Sequence, residues 1–306
     1  MRKAFDELYD DVYRKTINMI EEARKKVKKT LLIILLVLIS INVIVYFIVD
    51  FKVEVTITIS IAFIVMIIFI ITSRNSYKKM YKQIVIENLV KSYDNSFNYY
   101  TDGIPLIEYK ISNFDSSFDE YKSEDRIYGK LGTGDRFEFA EITTYRIREY
   151  KDSSGYRTEE RKKTYSGMYG VVWLEKNLLS NIQIVLNSVI NKYNKDRIEV
   201  ESSEFEKEYD LITKDKMIAM RIFTPDIIEE INTIKRSTNA PIEIKIDENK
   251  LFFRYKCGQM FEPPILKNDL DRDIIRNYYN LIYYPTHVLE KICENINNIA
   301  EIDNQE

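Results

Sequence analysis

The sequence is poor in the residues that most often carry chemistry. It has one histidine, two cysteines and one tryptophan, with six prolines and eight glycines in 306 residues. A single imidazole, His287, excludes a histidine-rich metal centre. Cys257 and Cys293 show no CxxC spacing and no cluster. Two such thiols do not make a disulfide framework, and a reducing compartment is the simpler expectation. They are also too few for a structural zinc site without carboxylate help. Gly and Pro are scarce while Tyr, Ile, Asn and Lys abound, as in AT-rich coding, so the 23 tyrosines carry no individual meaning.

A basic stripe is also missing from the C-terminal part. Residues 92–306 carry 30 Lys/Arg against 39 Asp/Glu. An acidic body repels phosphate backbones, so nucleic acid is not an expected partner. The basic excess lies elsewhere: residues 1–29 carry nine cations against six acids, and residues 73–91 five against one.

Between those basic flanks lie two uncharged runs, residues 30–49 and 55–72. As helices they extend roughly 30 Å and 27 Å, the thickness of a hydrocarbon core. The five-residue connection makes them antiparallel neighbours. The first run is too long, too far from the start and too poor in cleavage signals for a removed leader. The expectation is a transmembrane helical hairpin. The basic flanks place both termini on the cytoplasmic side of the membrane, as a two-span protein. Asn42, mid-span, is the expected packing contact within the hairpin.

Residues 3–28 carry an apolar stripe through Phe5, Tyr9, Val12 and Met19, and residues 77–89 another through Tyr77, Met80, Ile84 and Leu89. The two predict a coiled-coil-like stalk, with a helix on the lipid surface as the alternative. The domain plan is therefore an amphipathic helix (1–29), the hairpin (30–72), a juxtamembrane helix (73–100) and a cytoplasmic α+β domain (101–306).

In that domain, Phe114, Phe118 and Tyr121 sit at helical spacing. Alternation then predicts strands over 126–131, 136–150, 157–166, 169–174, 181–186, 217–223, 242–246 and 251–255. The last two are expected to form a hairpin across residues 247–250. A helix is expected from Pro225 to about Arg236, and two more after Asp269, broken near Pro285. The fold class is α+β with a mainly antiparallel sheet and packed helices.

The segments 121–132, 137–141 (Phe-Glu-Phe-Ala-Glu), 215–225 and 261–264 (Phe-Glu-Pro-Pro) resemble, in order and spacing, an uncharacterised bacterial family. Its members are membrane proteins with two adjacent N-terminal spans and a cytoplasmic domain of unknown function. The resemblance implies topology and domain extent; it supplies no activity. Ala140 stands where that family typically has Ser.

No motif reads as catalytic, and none as a cofactor or metal site. Residues 129–135 (Gly-Lys-Leu-Gly-Thr-Gly-Asp) superficially suggest a phosphate loop, but the Lys comes first and a strand follows, so a hairpin turn is expected. Asp115, Asp119, Glu120, Glu124 and Asp125 lack EF-hand spacing and read as a solvated face. Cys257 and His287 have nothing to bring them together, and Trp173 reads as core. Phe261, Glu262, Pro263 and Pro264 read as a rigid connector plugging an aromatic into the core, with a partner-docking edge as the alternative. The expected function is a membrane-anchored cytoplasmic module that binds a protein or lipid partner, or a second copy of itself. The alternative is a membrane-tethered enzyme using convergent carboxylates on a small or lipid-linked substrate.

Overall fold

Residues 5–48 contain neither proline nor glycine, and one helix, α1 (Phe5–Ile48), runs through them in the computed structural model. The structure describes residues 4–48, 53–115, 117–151, 156–263 and 270–303. A second helix, α2 (Val53–Tyr81), leads into a π-helical turn (Lys82–Ile86) and then α3 (Glu87–Tyr93). Among the described residues, no helix is long and apolar enough to cross a membrane. The side chains of residues 42–62, and with them the packing role expected of Asn42 and the connection at 49–52, lie outside the described residues.

After α3 come β1 (Asn98–Asp102), α4 (Leu106–Ile111), β2 (Glu120–Lys130), β3 (Arg136–Lys151) and β4 (Arg157–Leu186). Then follow β5 (Arg197–Ile198), α5 (Ser203–Glu208), β6 (Tyr209–Thr213), α6 (Lys216–Ile222), α7 (Pro225–Thr238), β7 (Ile242–Tyr255) and α8 (Arg272–Asp303). All pairings are antiparallel, in the order β1-β2-β3-β4-β6-β5, with β7 on β4. The fold is α+β with a large antiparallel sheet.

The sheet has two apolar faces. On the inner face, Phe137, Phe139, Met168, Val172 and Phe253 join one core with Leu8 and Val12 of α1, Val85 and Leu89 beside the π turn, and Leu289 and Ile292 of α8. On the outer face, Ala140, Ile142, Tyr169, Val171 and Phe252 are covered by Ile104, Tyr109, Phe114 and Phe118.

The structure departs from the sequence expectations where distant segments meet. The stripes of α1 and α2–α3 do face one another, but not as a free-standing stalk. Helix α8 closes on them as well: Phe5 packs edge-on to Tyr279, Tyr9 donates to the Leu270 carbonyl and Arg272 pairs with Asp6. The strands expected at 157–166, 169–174 and 181–186 are one strand, β4, because β3 and β7 flank it in succession. The expected 242–255 hairpin is also one strand. Its two halves share β4 as a partner, and Glu248 takes up the irregularity with φ 52°.

The segment expected as a strand at 217–223 is helix α6, started by the Asp215 side chain accepting from Ile218 N at 3.1 Å. Phe114 and Phe118 lie outside any helix, and the helix of that region is α4 instead. Pro285 does not divide the C-terminal helix. Ile282 and Leu289, on either side, are fully buried, and burial there outweighs the roughly 3 kcal/mol cost of an interior proline.

Candidate functional site

Where α2 gives way to the π turn, its side chains meet the sheet. Lys82, the first residue of that turn, is buried at 3 % exposure. Its Nζ donates to Asp125 Oδ2 at 2.5 Å and to Glu124 Oε2 at 3.0 Å. One helical turn earlier, Lys78 Nζ lies 2.5 Å from Glu262 Oε1 and 3.9 Å from Glu124 Oε2. Asp125 is fully buried with φ 61°, where the β2–β3 register slips between Glu124 and Ile127. The bulge turns this one residue inward. Its other oxygen accepts from Tyr99 OH at 2.6 Å.

A fourth carboxylate completes the cluster. Glu141 pairs across the ladder with Glu124 and accepts from Met260 N at 2.6 Å. Single carboxylate oxygens of Glu124, Glu141 and Glu262 lie within 4.8 Å of one another. Three carboxylates so placed could hold a cation; here two lysine ammonium groups stand among them. Burial pushes Glu141 up to about 7, against the Met260 hydrogen bond. Burial also raises Asp125 to about 6, with Lys82 pulling the other way. For Lys82, desolvation acts to lower the pKa, but Asp125 and Glu124 raise it on balance. The site is a junction with Lys82, Asp125 and Glu141 buried at its centre and Lys78, Glu124 and Glu262 partly exposed at its rim: it ties the end of α2 to β2, β3 and the segment after β7.

An open cavity lies elsewhere. A groove of about 740 Å³ on the outer face is lined by Tyr100, Arg126, Tyr128, Arg136, Glu138 and Trp173 among others. Tyr100 and Tyr128 stack with ring centroids 5.5 Å apart. Arg126 lies over Tyr100 and pairs with Asp102, while Arg136 lies over Trp173. Strand alternation places all these side chains opposite the Lys82 junction, since Glu124 and Glu141 project from the inner face.

The residues singled out from the sequence distribute as follows. Phe261 is fully buried with φ 45°, edge-on to Tyr99 and Tyr278. It is held inside the head rather than displayed at its surface. Glu262 turns to Lys78, Pro263 is half-buried, and Pro264 lies outside the described residues. The 129–135 segment closes the β2–β3 hairpin, with Leu131 N donating to Asp135 O at 2.9 Å and Gly134 at φ 97°. Trp173 is half-buried and lines the groove instead of lying wholly in the core. Cys257 donates weakly to Gly258 O, and His287 stacks on Tyr283 near Glu230.

Of the acids first read as a solvated face, Glu124 and Asp125 are drawn into the junction, and Asp115 pairs with Arg254. In the sequence Lys82 reads only as a flanking cation and Glu141 only as the end of a resembling segment. Glu124, Asp125, Glu141 and Glu262 all fall inside the segments that carry the family resemblance. That clustering was the one available signal.

Residues 163–294 match a family described as "Protein of unknown function (DUF3137)". The match runs from within β4 into α8. No curated protein matches. Among solved structures, the chain is similar to the crystal structure of the mycobacterial trehalose monomycolate transport factor A, TtfA. The identity is 9 % and the TM-score 0.32, over 62 % of this chain and 89 % of that one.

Proposed function

We propose that this chain is a membrane-anchored binding module whose partner sits on the outer face of its sheet. The anchor is the helical hairpin at 30–49 and 55–72. Large apolar side chains support that assignment on both helices: Leu32, Leu36 and Ile39 of α1, and Phe63, Ile64 and Ile68 of α2, are each more than half exposed. A belt of that kind is costly in water and ordinary in lipid. The basic flanks then put the head in the cytoplasm.

The observation that carries binding over catalysis is that the convergent carboxylates lie away from the groove, whose acidic lining residue is Glu138. The converging acids that an enzyme of this type would need lie on the inner face beneath α2, paired with two lysines. The open groove lies across the sheet and is lined mostly by aromatic rings and guanidinium groups. A substrate in the groove could not touch Glu141 or Asp125. Rigid aromatic surface with arginine is the usual composition of a binding hot spot.

The test places a photoreactive residue at Tyr128 in the full chain in native membranes. A discrete adduct, lost on Arg136→Glu, is the expected result. A chain that gives no adduct in intact membranes would overturn the reading. Topology is tested separately: a cysteine replacing Lys52 labels from outside, and a reporter fused after Glu306 reads cytoplasmic.

A further inference from the structure

Beyond Tyr145, the last β3 residue paired with β2, strands β3 and β4 leave the sheet as a two-stranded ribbon, paired from Arg146↔Lys162 to Lys151↔Arg157. Arg148 to Lys151 and Tyr156 to Arg157 are exposed, with Tyr150 at 50 % and Tyr156 at 75 %. A bare two-stranded ribbon has little packing of its own to hold it, so its length and composition call for a surface to rest on. Residues 145–151 and 157–163 carry seven Lys/Arg against three Glu, although residues 92–306 as a whole are acidic. Two of the cations are used near the base: Arg161 pairs with Glu120 and Arg146 donates to Ser117. Arg148, Lys151, Arg157, Lys162 and Lys163 lie farther out or on the exposed strand and remain exposed.

The direction of the ribbon follows from the junction. Lys78 and Lys82, which follow the second apolar run, contact Glu124 and Glu262. Those residues mark the end of the head nearer that run. From Lys82 the chain continues through α3 to Phe97, which packs on Phe137 beside the Leu131–Asp135 hairpin, so that hairpin marks the far end. Strand β3 runs from the far end, past Glu141 beside Glu124, and on into the ribbon. The ribbon therefore points back along α2 toward the hairpin.

Lengths agree with that direction. Nine helical residues from Lys82 back to Ser73 span about 14 Å. Ten strand residues from Glu141 to Lys151 span about 33 Å, and about 23 Å even if inclined by half a right angle. The ribbon is long enough to reach the level at which α2 would enter a bilayer.

We propose that this β3–β4 ribbon is a lipid-contacting arm that rests on the anionic headgroups of the membrane holding the hairpin. The inference rests on the anchored reading above. Clustered lysine and arginine attract an anionic leaflet, and tyrosine is at home at the headgroup level. The arm gives the head a second foothold beside the helices and fixes which way the outer-face groove points.

The experiment uses the full chain, with Cys257→Ser and Cys293→Ala, reconstituted in nanodiscs. A spin label is carried at Tyr150→Cys, and accessibility to a water-soluble nickel chelate is read. In discs containing phosphatidylglycerol the expected result is a severalfold lower accessibility than in phosphatidylcholine discs. Arg148→Glu with Lys162→Glu and Lys163→Glu should abolish that difference. A label equally open to nickel in both lipids overturns the arm, and so does equal protection in both, which would remove the role of charge. Failure of the anchored reading shows differently: the chain would then not enter discs of either composition.

Discussion

Lys82 Nζ lies 2.5 Å from Asp125 Oδ2, joining the first residue of a π-helical turn to a left-handed residue in a β-bulge. Two local irregularities meet in one ion pair, and neither is favourable alone. Removing one partner of a buried pair leaves an uncompensated charge and costs about 3–5 kcal/mol. Lys82→Met is expected to lose that much in denaturant unfolding of the detergent-solubilised chain, followed through Trp173 fluorescence. Asp125→Asn is expected to lose less, because Lys82 keeps Glu124 and Asn tolerates positive φ. Equal losses would contradict this division of charge.

Glu141 makes stability depend on pH. Burial holds its carboxyl proton in the folded protein up to about pH 7, against an ordinary value of 4.5. The folded state binds more protons in that window, so its stability falls as pH rises. The contribution is fully present below about 4.5 and lost as pH passes 7, with a ceiling of roughly 3 kcal/mol. The wild-type chain is expected to melt at higher temperature at pH 6 than at pH 8. Glu141→Gln, which keeps an acceptor for Met260 N, should flatten that difference. A slope unchanged in the variant would assign it to another group.

Gly167 sits where the end of β7 passes close against β4. A Cβ there would stand 2.3 Å from the Tyr255 carbonyl oxygen and 3.0 Å from Cys257 N, both backbone atoms. Backbone cannot move aside as a flexible side chain can. Gly167→Ala is expected to destabilise by about 1–3 kcal/mol through overpacking. A melting temperature equal to wild type would show that β7 can shift.

The glycine-bearing loop after β2 is expected not to bind nucleotide. It closes a hairpin, its Gly132 N–H is taken by Glu290, and a strand follows where a phosphate site would present a helix N-terminus. Titration of the chain with ATP and magnesium should show no saturable signal. A micromolar site abolished by Lys130→Ala would refute this.

Local chemistry alone determined several features of this chain. The apolar stripe through Phe5, Tyr9 and Val12, the absence of breakers from 5 to 48, the Gly-rich hairpin before Phe137 and the Pro225 helix start are each written within a few residues. Tertiary structure decided the rest, because those outcomes turn on partners far away in sequence. Pro285 stays within a helix because both flanks are buried against the inner core. Residues 242–255 run as one strand because β4 is long enough to pair with both halves. Lys82 looks like one more flanking cation until the bulge at Asp125, 43 positions later, turns a carboxylate toward it. The strands at 145–151 and 157–163 read in the sequence only as charged hairpin strands. Only the direction of β3 relative to α2 supports the proposed arm, since direction belongs to the packing of strand on helix and to no single segment.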